Sequence, residues 1–282
     1  MLEKDDEKME KQLDWFKIFD ECRKNINVRI KPCMESLKEP QPDLGKGAGG
    51  DAMKPVDLAA EKAIIETLQG SKVSFTLISE ESGFEKFGET PDDCYVTIDP
   101  IDGTTNLVRG LPFYASSIAV SKKPVLSQVY AASVIDLYHD SAYTAMDGKG
   151  AYRDGEKILT SRVHSLEEAV IGLDLNTYKV KEIAPKLTDL IEKTKHIRHY
   201  GANALELCYV ANGLTDAFVD IRGKLRTTDV AAGFLILKEA GGLVTTTDNK
   251  PVDVKLDPKQ TLNFVASGNA QIHQKILDLV KT

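Results

Sequence analysis

Asp99-Pro100-Ile101-Asp102-Gly103-Thr104-Thr105-Asn106 follows directly on the apolar run of residues 95–98, which sets two carboxylates at the end of a strand. Pro100 and Ile101 restrict the backbone between the acids, so neither can retreat from the other. Two close carboxylates repel unless a cation lies between them. Hard oxygen donors of this kind suit Mg2+, which uses few carboxylates and keeps several waters. Gly103, Thr104 and Thr105 add amides and hydroxyls able to cradle a phosphate. Carboxylates for metal beside amides for phosphate imply metal-assisted phosphoryl transfer.

Upstream, residues 73–78 read as another strand, ending at Glu80-Glu81-Ser82-Gly83, and strand ends are where open α/β sheets gather their sites. Before it, Ala60, Ile64 and Leu68 predict a helix over 57–68, and Trp15, Ile18, Phe19, Cys22, Ile26 and Ile30 predict an amphipathic helix that Lys31-Pro32 closes or kinks. Between the two helices, residues 40–51 are rich in Gly and Pro and predict a flexible loop; residues 1–12 form a charged tail expected to fray. Downstream, 116–121, 125–135, 142–146 and 151–152 predict an antiparallel meander broken by Asp147-Gly148 and Asp154-Gly155. The remainder alternates: strands at 169–173, 196–200 and 217–221, helices at 181–193, 202–212 and 229–240, short strands at 243–246 and 263–266, and a last helix from about 269. The order predicts two domains, 1–160 of α+β type and 161–282 of α/β type.

Taken singly, the acidic features have plain explanations. Glu80-Glu81 can be a solvated turn, Asp99-Pro100 and Asp102-Gly103 further turns, and Asp229 an acid favoured at a helix start. Composition narrows the field. The chain has 282 residues, 42% hydrophobic and 28% charged, which excludes disordered and fibrous classes. With 36 Lys plus Arg against 43 Asp plus Glu, the net charge of −7 argues against a general nucleic-acid binder. No apolar run reaches the ~18 residues of a membrane span, the start lacks the features of a signal peptide, and the four cysteines show neither CxxC nor zinc-finger spacing. A cytoplasmic protein with reduced thiols, no membrane partner and no nucleic-acid partner is expected. The five histidines read as structural or surface residues, because no Arg-His-Gly motif is present.

The Asp99–Asn106 block, with Glu80-Glu81-Ser82 before it and Thr228-Asp229-Val230-Ala231-Ala232-Gly233 after it, resembles the inositol monophosphatase family, the lithium-sensitive, Mg2+-dependent sugar phosphatases. The likeness covers about residues 14–280 and includes Gly201-Ala202-Asn203-Ala204-Leu205-Glu206-Leu207 and Glu239-Ala240-Gly241-Gly242. It implies a layered α-β-α-β-α fold. It implies two or three Mg2+ ions, with Mn2+ as a substitute, held by Glu80, Asp99, the Ile101 carbonyl, Asp102 and, from the second domain, Asp229. Asp57 and Thr104 match the pair that orients the attacking water, and Glu81 is counted with them as catalytic. Asp102, Gly103 and Thr104 would hold the phosphate, with Tyr178, Arg198, Gly201, Ala202, Asn203 and Arg222 contacting the rest of the substrate. The resemblance also implies a homodimer acting on a small sugar or inositol phosphate, by in-line attack of a metal-activated water.

Two departures bear on specificity. Inositol-specific members carry Glu seven residues before the Asp229 position, where this chain has Arg222 within Arg222-Gly223-Lys224-Leu225-Arg226. That basic variant resembles the archaeal-type dual enzymes for fructose 1,6-bisphosphate and inositol monophosphate. In the glycine loop those enzymes have Ala-Asp-Gly, with the Asp on a third metal; here the run is Ala48-Gly49-Gly50-Asp51, and Asp51 is the displaced counterpart. Three alternatives stand beside this reading. An aspartyl-phosphate phosphatase is disfavoured, because it needs an acid two residues after its nucleophile and Thr104 stands there. A nucleotide 3′-phosphatase of the same superfamily and a regulatory binding protein on the same fold are the others.

Overall fold

The computed structural model describes residues 13–37, 42–175 and 179–280. The charged tail at 1–12 lies outside them. Among the described residues, two sheets and six helices make five layers, with the short helix Thr104–Arg109 outside them.

The outer layer on one side is α1 (Trp15–Glu35) and α2 (Pro55–Gly70). Trp15, Ile18, Phe19, Cys22, Ile26 and Ile30 form the buried stripe that the spacing predicts. Pro32 does not close α1, which continues to Glu35. Pro32 lies within the last turn, and Cys33 and Met34 beyond it pack on the core.

Beneath lies an eight-stranded sheet built from β1 (Phe75–Ser79), β2 (Gly83–Phe87), β3 (Tyr95–Asp102), β4 (Ala115–Ser121), β5 (Val129–Asp136), β6 (Ser141–Met146), β7 (Gly150–Arg153) and β8 (Glu156–Lys157). Its order is β2-β1-β3-β4-β5-β6-β7-β8, antiparallel except where β1 pairs with β3. Alternation assigns the faces: Ile118, Val120, Ala131 and Ile135 point to α1 and α2, whereas Ala119, Ala132 and Val134 point to the layer below. β2 and the short helix α3 (Thr104–Arg109) are elements the spacing does not predict.

The middle layer is α5 (Asn203–Ala211) and α6 (Thr227–Glu239). α6 has eleven successive buried residues, Thr227 to Leu237, because it is packed on both sides. Gly233 makes the α5 contact: a Cβ there would lie 2.7 Å from a Leu207 methyl. The second sheet has the order β10-β9-β11-β13-β12, from β9 (Val170–Leu173), β10 (His196–Arg198), β11 (Ala217–Arg226), β12 (Leu243–Thr245) and β13 (Thr261–Ser267). Phe218, Phe264 and Ala266 face the middle helices, while Val219, Ile221 and Val265 face the last layer, α4 (Val180–Lys193) and α7 (Ala270–Leu279). The sequence α-β-α-β-α is therefore complete.

Cys22, Cys33, Cys94 and Cys208 are free thiols. Among the described residues no helix is long and apolar enough to cross a membrane. His273 is buried between the Thr245 and Ser267 hydroxyls, and His139 pairs with Asp136, so two of the histidines have structural partners.

Candidate active site

Regular strand geometry would send Asp99 and Asp102 to opposite faces, since side chains alternate and the two are an odd number of residues apart. The chain avoids this with a bulge. Asp99 is opposite Ser117 and Asp102 opposite Ala115, so β3 has one residue more than β4 over this stretch. Pro100, which has no N–H to give the ladder, falls inside it. Gly103 follows at φ +86°, and a Cβ there would come within 2.9 Å of the Ala202 methyl. Only glycine allows this turn into α3 against α5.

Four separate chain segments bring acids to this point. Glu80 and Glu81 end β1, Asp57 lies in the first turn of α2, and Asp229 lies in the first turn of α6. Asp57 and Asp229 each fold back on their own helix start, accepting from Lys54 N and Arg226 N at 3.0 Å. This is the N-terminal acid expected of an ordinary helix, so a capping reading and a site reading are both true of these residues. Carboxylate oxygens of Glu80, Asp99 and Asp229 lie within 4.8 Å of one another. With Asp57, Glu81, the Ile101 backbone, Asp102, Gly103 and Thr104, they line a cavity of about 400 Å3.

The electrostatics are those of crowded, buried acids. Burial, and then the charges of Glu80 and Asp102, hold Asp99 well above the usual carboxylate range. Asp102 is raised likewise, by burial and then by Asp229, although Ala204 N donates to it at 2.6 Å. Glu80 is pushed up to about 7 by burial and then by Asp229, and Glu81 to about 8 by burial and then by Asp57. Asp57 is raised to about 6, chiefly by burial. Asp99 Oδ1 and Glu81 Oε2 are buried without a hydrogen-bond partner. Orphaned anionic oxygens in such a place are costly unless a cation or proton answers them. The donor set is all oxygen and suits Mg2+ or Mn2+, so the residues present fit the metal that the resemblance implies.

Gly103, Thr104 and Thr105, at the start of α3, line the same cavity. The Thr104 hydroxyl is within 2.9 Å of the Ile101 carbonyl and 3.4 Å of Asp57 Oδ1. Gly201 and Asn203, at the start of α5, line the cavity as well, with Ala202 buried between them in sequence. Glu206 holds this turn by accepting from both Tyr200 N and Gly201 N at 3.1 Å. It is itself pushed up to about 7, by burial above all.

The remaining expected residues are placed differently: Asp51 lines this cavity and Arg222 an adjoining one. Tyr178 lies outside the described residues. Arg198 is exposed on β10, and its guanidinium donates to the adjacent Ile197 carbonyl; it lines neither this cavity nor the next. Arg222 needs a correction. An open cationic side chain is expected, yet the Arg222 guanidinium is 4% exposed and ion-paired with both Asp174 and Asp220. The cause is a second irregularity, in β11: pairing with β13 is broken between Asp220 and Leu225, and Arg222 folds back along its own strand to Asp220. Asp51 stands at the rim, 77% exposed, held at 2.9 Å by Arg226 rather than by the acidic cluster.

Arg226 is the site residue that spacing alone does not single out. Its guanidinium pairs with Glu80 at 2.7 Å and Asp229 at 3.4 Å as well as with Asp51. Its signal in sequence is its place in the alternating basic run Arg222-Gly223-Lys224-Leu225-Arg226, three residues before Asp229. A second cavity of about 440 Å3 shares Asp51, Asn203, Arg226 and Asp229 with the first and continues past Arg222, with its partner Asp174, to Lys224 and Lys259.

Comparison with known proteins identifies the family. The profile of the inositol monophosphatase family matches residues 17–282. The chain is 34% identical over 272 residues to the fructose-1,6-bisphosphatase/inositol-1-monophosphatase of Thermococcus kodakarensis, covering 96% of this chain and 98% of that one. Against the protein of the same name from Methanothermobacter thermautotrophicus, identity is 33% over 274 residues, with 92% and 96% covered. A crystal structure described as an inositol monophosphatase–fructose 1,6 bisphosphatase superposes with a TM-score of 0.82 at 31% identity, covering 95% of this chain and all of that one.

Proposed function

This chain belongs to the inositol monophosphatase family and is a phosphomonoesterase, and from that premise we propose that it hydrolyses fructose 1,6-bisphosphate and inositol 1-phosphate with Mg2+. The observation that carries the reading is the Glu80, Asp99 and Asp229 oxygens, within 4.8 Å of one another, lining one cavity with Gly103 and Thr104. Asp99, Asp102, Glu80, Asp229 and the Ile101 carbonyl would hold the divalent ions. Bound there, the ions supply positive charge that acidifies water and neutralises the phosphate and leaving oxygens.

The chain's own residues do the rest. Asp57 and Thr104 hold the attacking water, with the hydroxyl set by its hydrogen bond to the Ile101 carbonyl. Asp57, raised to about 6, is a base at neutral pH and an acid just below it. Without a divalent ion, burial and the charges of Asp57 and Glu80 raise Glu81 to about 8 beside that pair. The amides of Gly103 and Thr104 receive the nonbridging phosphate oxygens, where a fixed dipole stabilises charge without reorganisation. Gly201 and Asn203 border the sugar, positioned through Glu206. On this reading residues 1–160 carry the chemistry and 161–282 close the site with Asp229.

A bisphosphate needs a cation away from the reacting phosphate. Arg222 lines the adjoining cavity but is already balanced by Asp174 and Asp220, so Lys259 on that cavity takes that part. The test is phosphate release from fructose 1,6-bisphosphate, inositol 1-phosphate and adenosine 3′,5′-bisphosphate, with Mg2+ and with excess chelator. Turnover of the first two, abolished by chelator, is expected. Preference for the adenosine compound would make the protein a nucleotide 3′-phosphatase, and metal-bound protein with no turnover of any substrate would leave a binding role.

A further inference from the structure

Arg226 occupies a place that the metal-dependent mechanism does not explain. It ends β11, immediately before α6, and its side chain crosses to the other half of the chain. One nitrogen reaches Glu80 Oε1 at 2.7 Å; another reaches Asp51 at 2.9 Å and the Gly49 carbonyl at 3.3 Å; the third faces Asp229 at 3.4 Å. The side chain is 16% exposed, so these contacts are made largely out of water.

The loop around it is shaped to admit it. A Cβ on Gly49 would lie 2.5 Å from an Arg226 nitrogen and 2.8 Å from Glu80 Cγ. Gly49 N and Ala48 N donate to the Glu80 and Glu81 carbonyls, at 2.7 and 2.8 Å, which seats the glycine loop on the acidic strand end. The guanidinium thus lies between loop, strand and helix, touching two of the three carboxylates that would bind the first divalent ion.

We propose that Arg226 is a resident counter-ion of the metal site: it neutralises Glu80 and Asp229 when no divalent ion is bound, and must yield those oxygens when one arrives. The proposal rests on the metal-dependent reading of the same cavity. Its physical basis is simple. Without Arg226, four buried carboxylates (Glu80, Asp99, Asp102 and Asp229) would face one another uncompensated. With it, a divalent ion must compete against a unit positive charge in direct contact with two of its ligands. Arg226 is a positioning residue in this account: it sets carboxylate geometry and ion affinity and does not touch substrate.

The experiment compares wild type, Arg226→Gln and Arg226→Lys by calorimetric titration with Mg2+ alone, and by thermal melting with chelator and with Mg2+. In Arg226→Gln, Mg2+ is expected to bind about tenfold tighter or more, because the competing charge is gone. The chelated form should melt lower than wild type, and Mg2+ should recover most of the loss. A glutamine variant that folds only with Mg2+ is the same result in extreme form. Arg226→Lys keeps the charge and should bind Mg2+ within about threefold of wild type. Unchanged or weaker Mg2+ binding by Arg226→Gln overturns the proposal. So does a lysine variant that tightens as much as glutamine, or a glutamine variant that stays unfolded with and without Mg2+. None of these readouts uses turnover. A wild-type protein that binds no Mg2+ would instead bring down the metal-dependent reading itself.

Discussion

Replacing Arg222 with Met tests whether this arginine belongs to the substrate or to the fold. Met has similar reach and no charge, so the substitution removes the ion pairs with little change of volume. It leaves Asp174 and Asp220, 5% and 0% exposed, facing each other without their shared cation. Burial already holds the Asp220 carboxyl above its usual range, even though the Arg222 hydrogen bonds and charge pull it down. Removing one partner from a buried ion pair costs about 3–5 kcal/mol, most of it the desolvation of what is left behind. Unfolding entropy of ~2.1 cal/mol/K per residue is about 0.6 kcal/mol/K for this chain, so the melting temperature should fall by roughly 5–8 °C. Adding Asp220→Asn should restore about half of that, since one uncompensated charge is removed. The assay is thermal melting with Mg2+, together with kcat/KM for fructose 1,6-bisphosphate and inositol 1-phosphate well below the transition. Similar losses on both substrates are expected. A variant that melts within about 1 °C of wild type and loses only the bisphosphate activity would refute the reasoning, and would return Arg222 to the distal phosphate.

Asp99→Asn should cut turnover by far more than tenfold at saturating Mg2+, at ~1.4 kcal/mol of barrier per tenfold, while raising the melting temperature in chelator because a repelled charge is gone; more than a tenth of wild-type turnover would contradict its role as a ligand. Mg2+ should raise the melting temperature of the wild type in a concentration-dependent way, approaching ~2.7 kcal/mol at a hundredfold excess over Kd; identical melts with Mg2+ and with chelator would remove the metal from the account. Glu206→Gln keeps the Oε1 acceptor that Tyr200 and Gly201 use and abolishes the titration. The folded carboxyl titrates at about 7, above an unfolded value of ~4.3, so its stabilising protonation is complete below about pH 4 and lost as pH rises to 7. Denaturation of wild type relative to Glu206→Gln should therefore show a stability difference falling across pH 4.5–7, by up to ~1.4 kcal/mol per pH unit. Parallel profiles would show that Glu206 does not titrate there.

Much of this protein is legible in one dimension. The stripe from Trp15 to Ile30, the strands ending in Glu80 and Asp99, the alternating second half and the Asp99–Asn106 block identify the elements, the five-layer fold and the family, because local periodicity and motif spacing are properties of neighbours along the chain. The acids could be named as a group for the same reason: each follows a strand or opens a helix. What no spacing carries is the departure from regular geometry and the long-range pairing it permits. The bulge that turns Asp99 and Asp102 to one face is a register difference between β3 and β4. The broken register in β11 folds Arg222 back onto Asp220, with Asp174 arriving from the end of β9, 48 residues earlier in the chain. Arg226 reads as one of three alternating bases near the phosphate site, and its partners appear only when Glu80 and Asp51 reach it from the other half of the chain. A cation in a sequence has a charge but no partner, and only the tertiary structure decides whether that charge is offered to a ligand or already spent on a buried carboxylate.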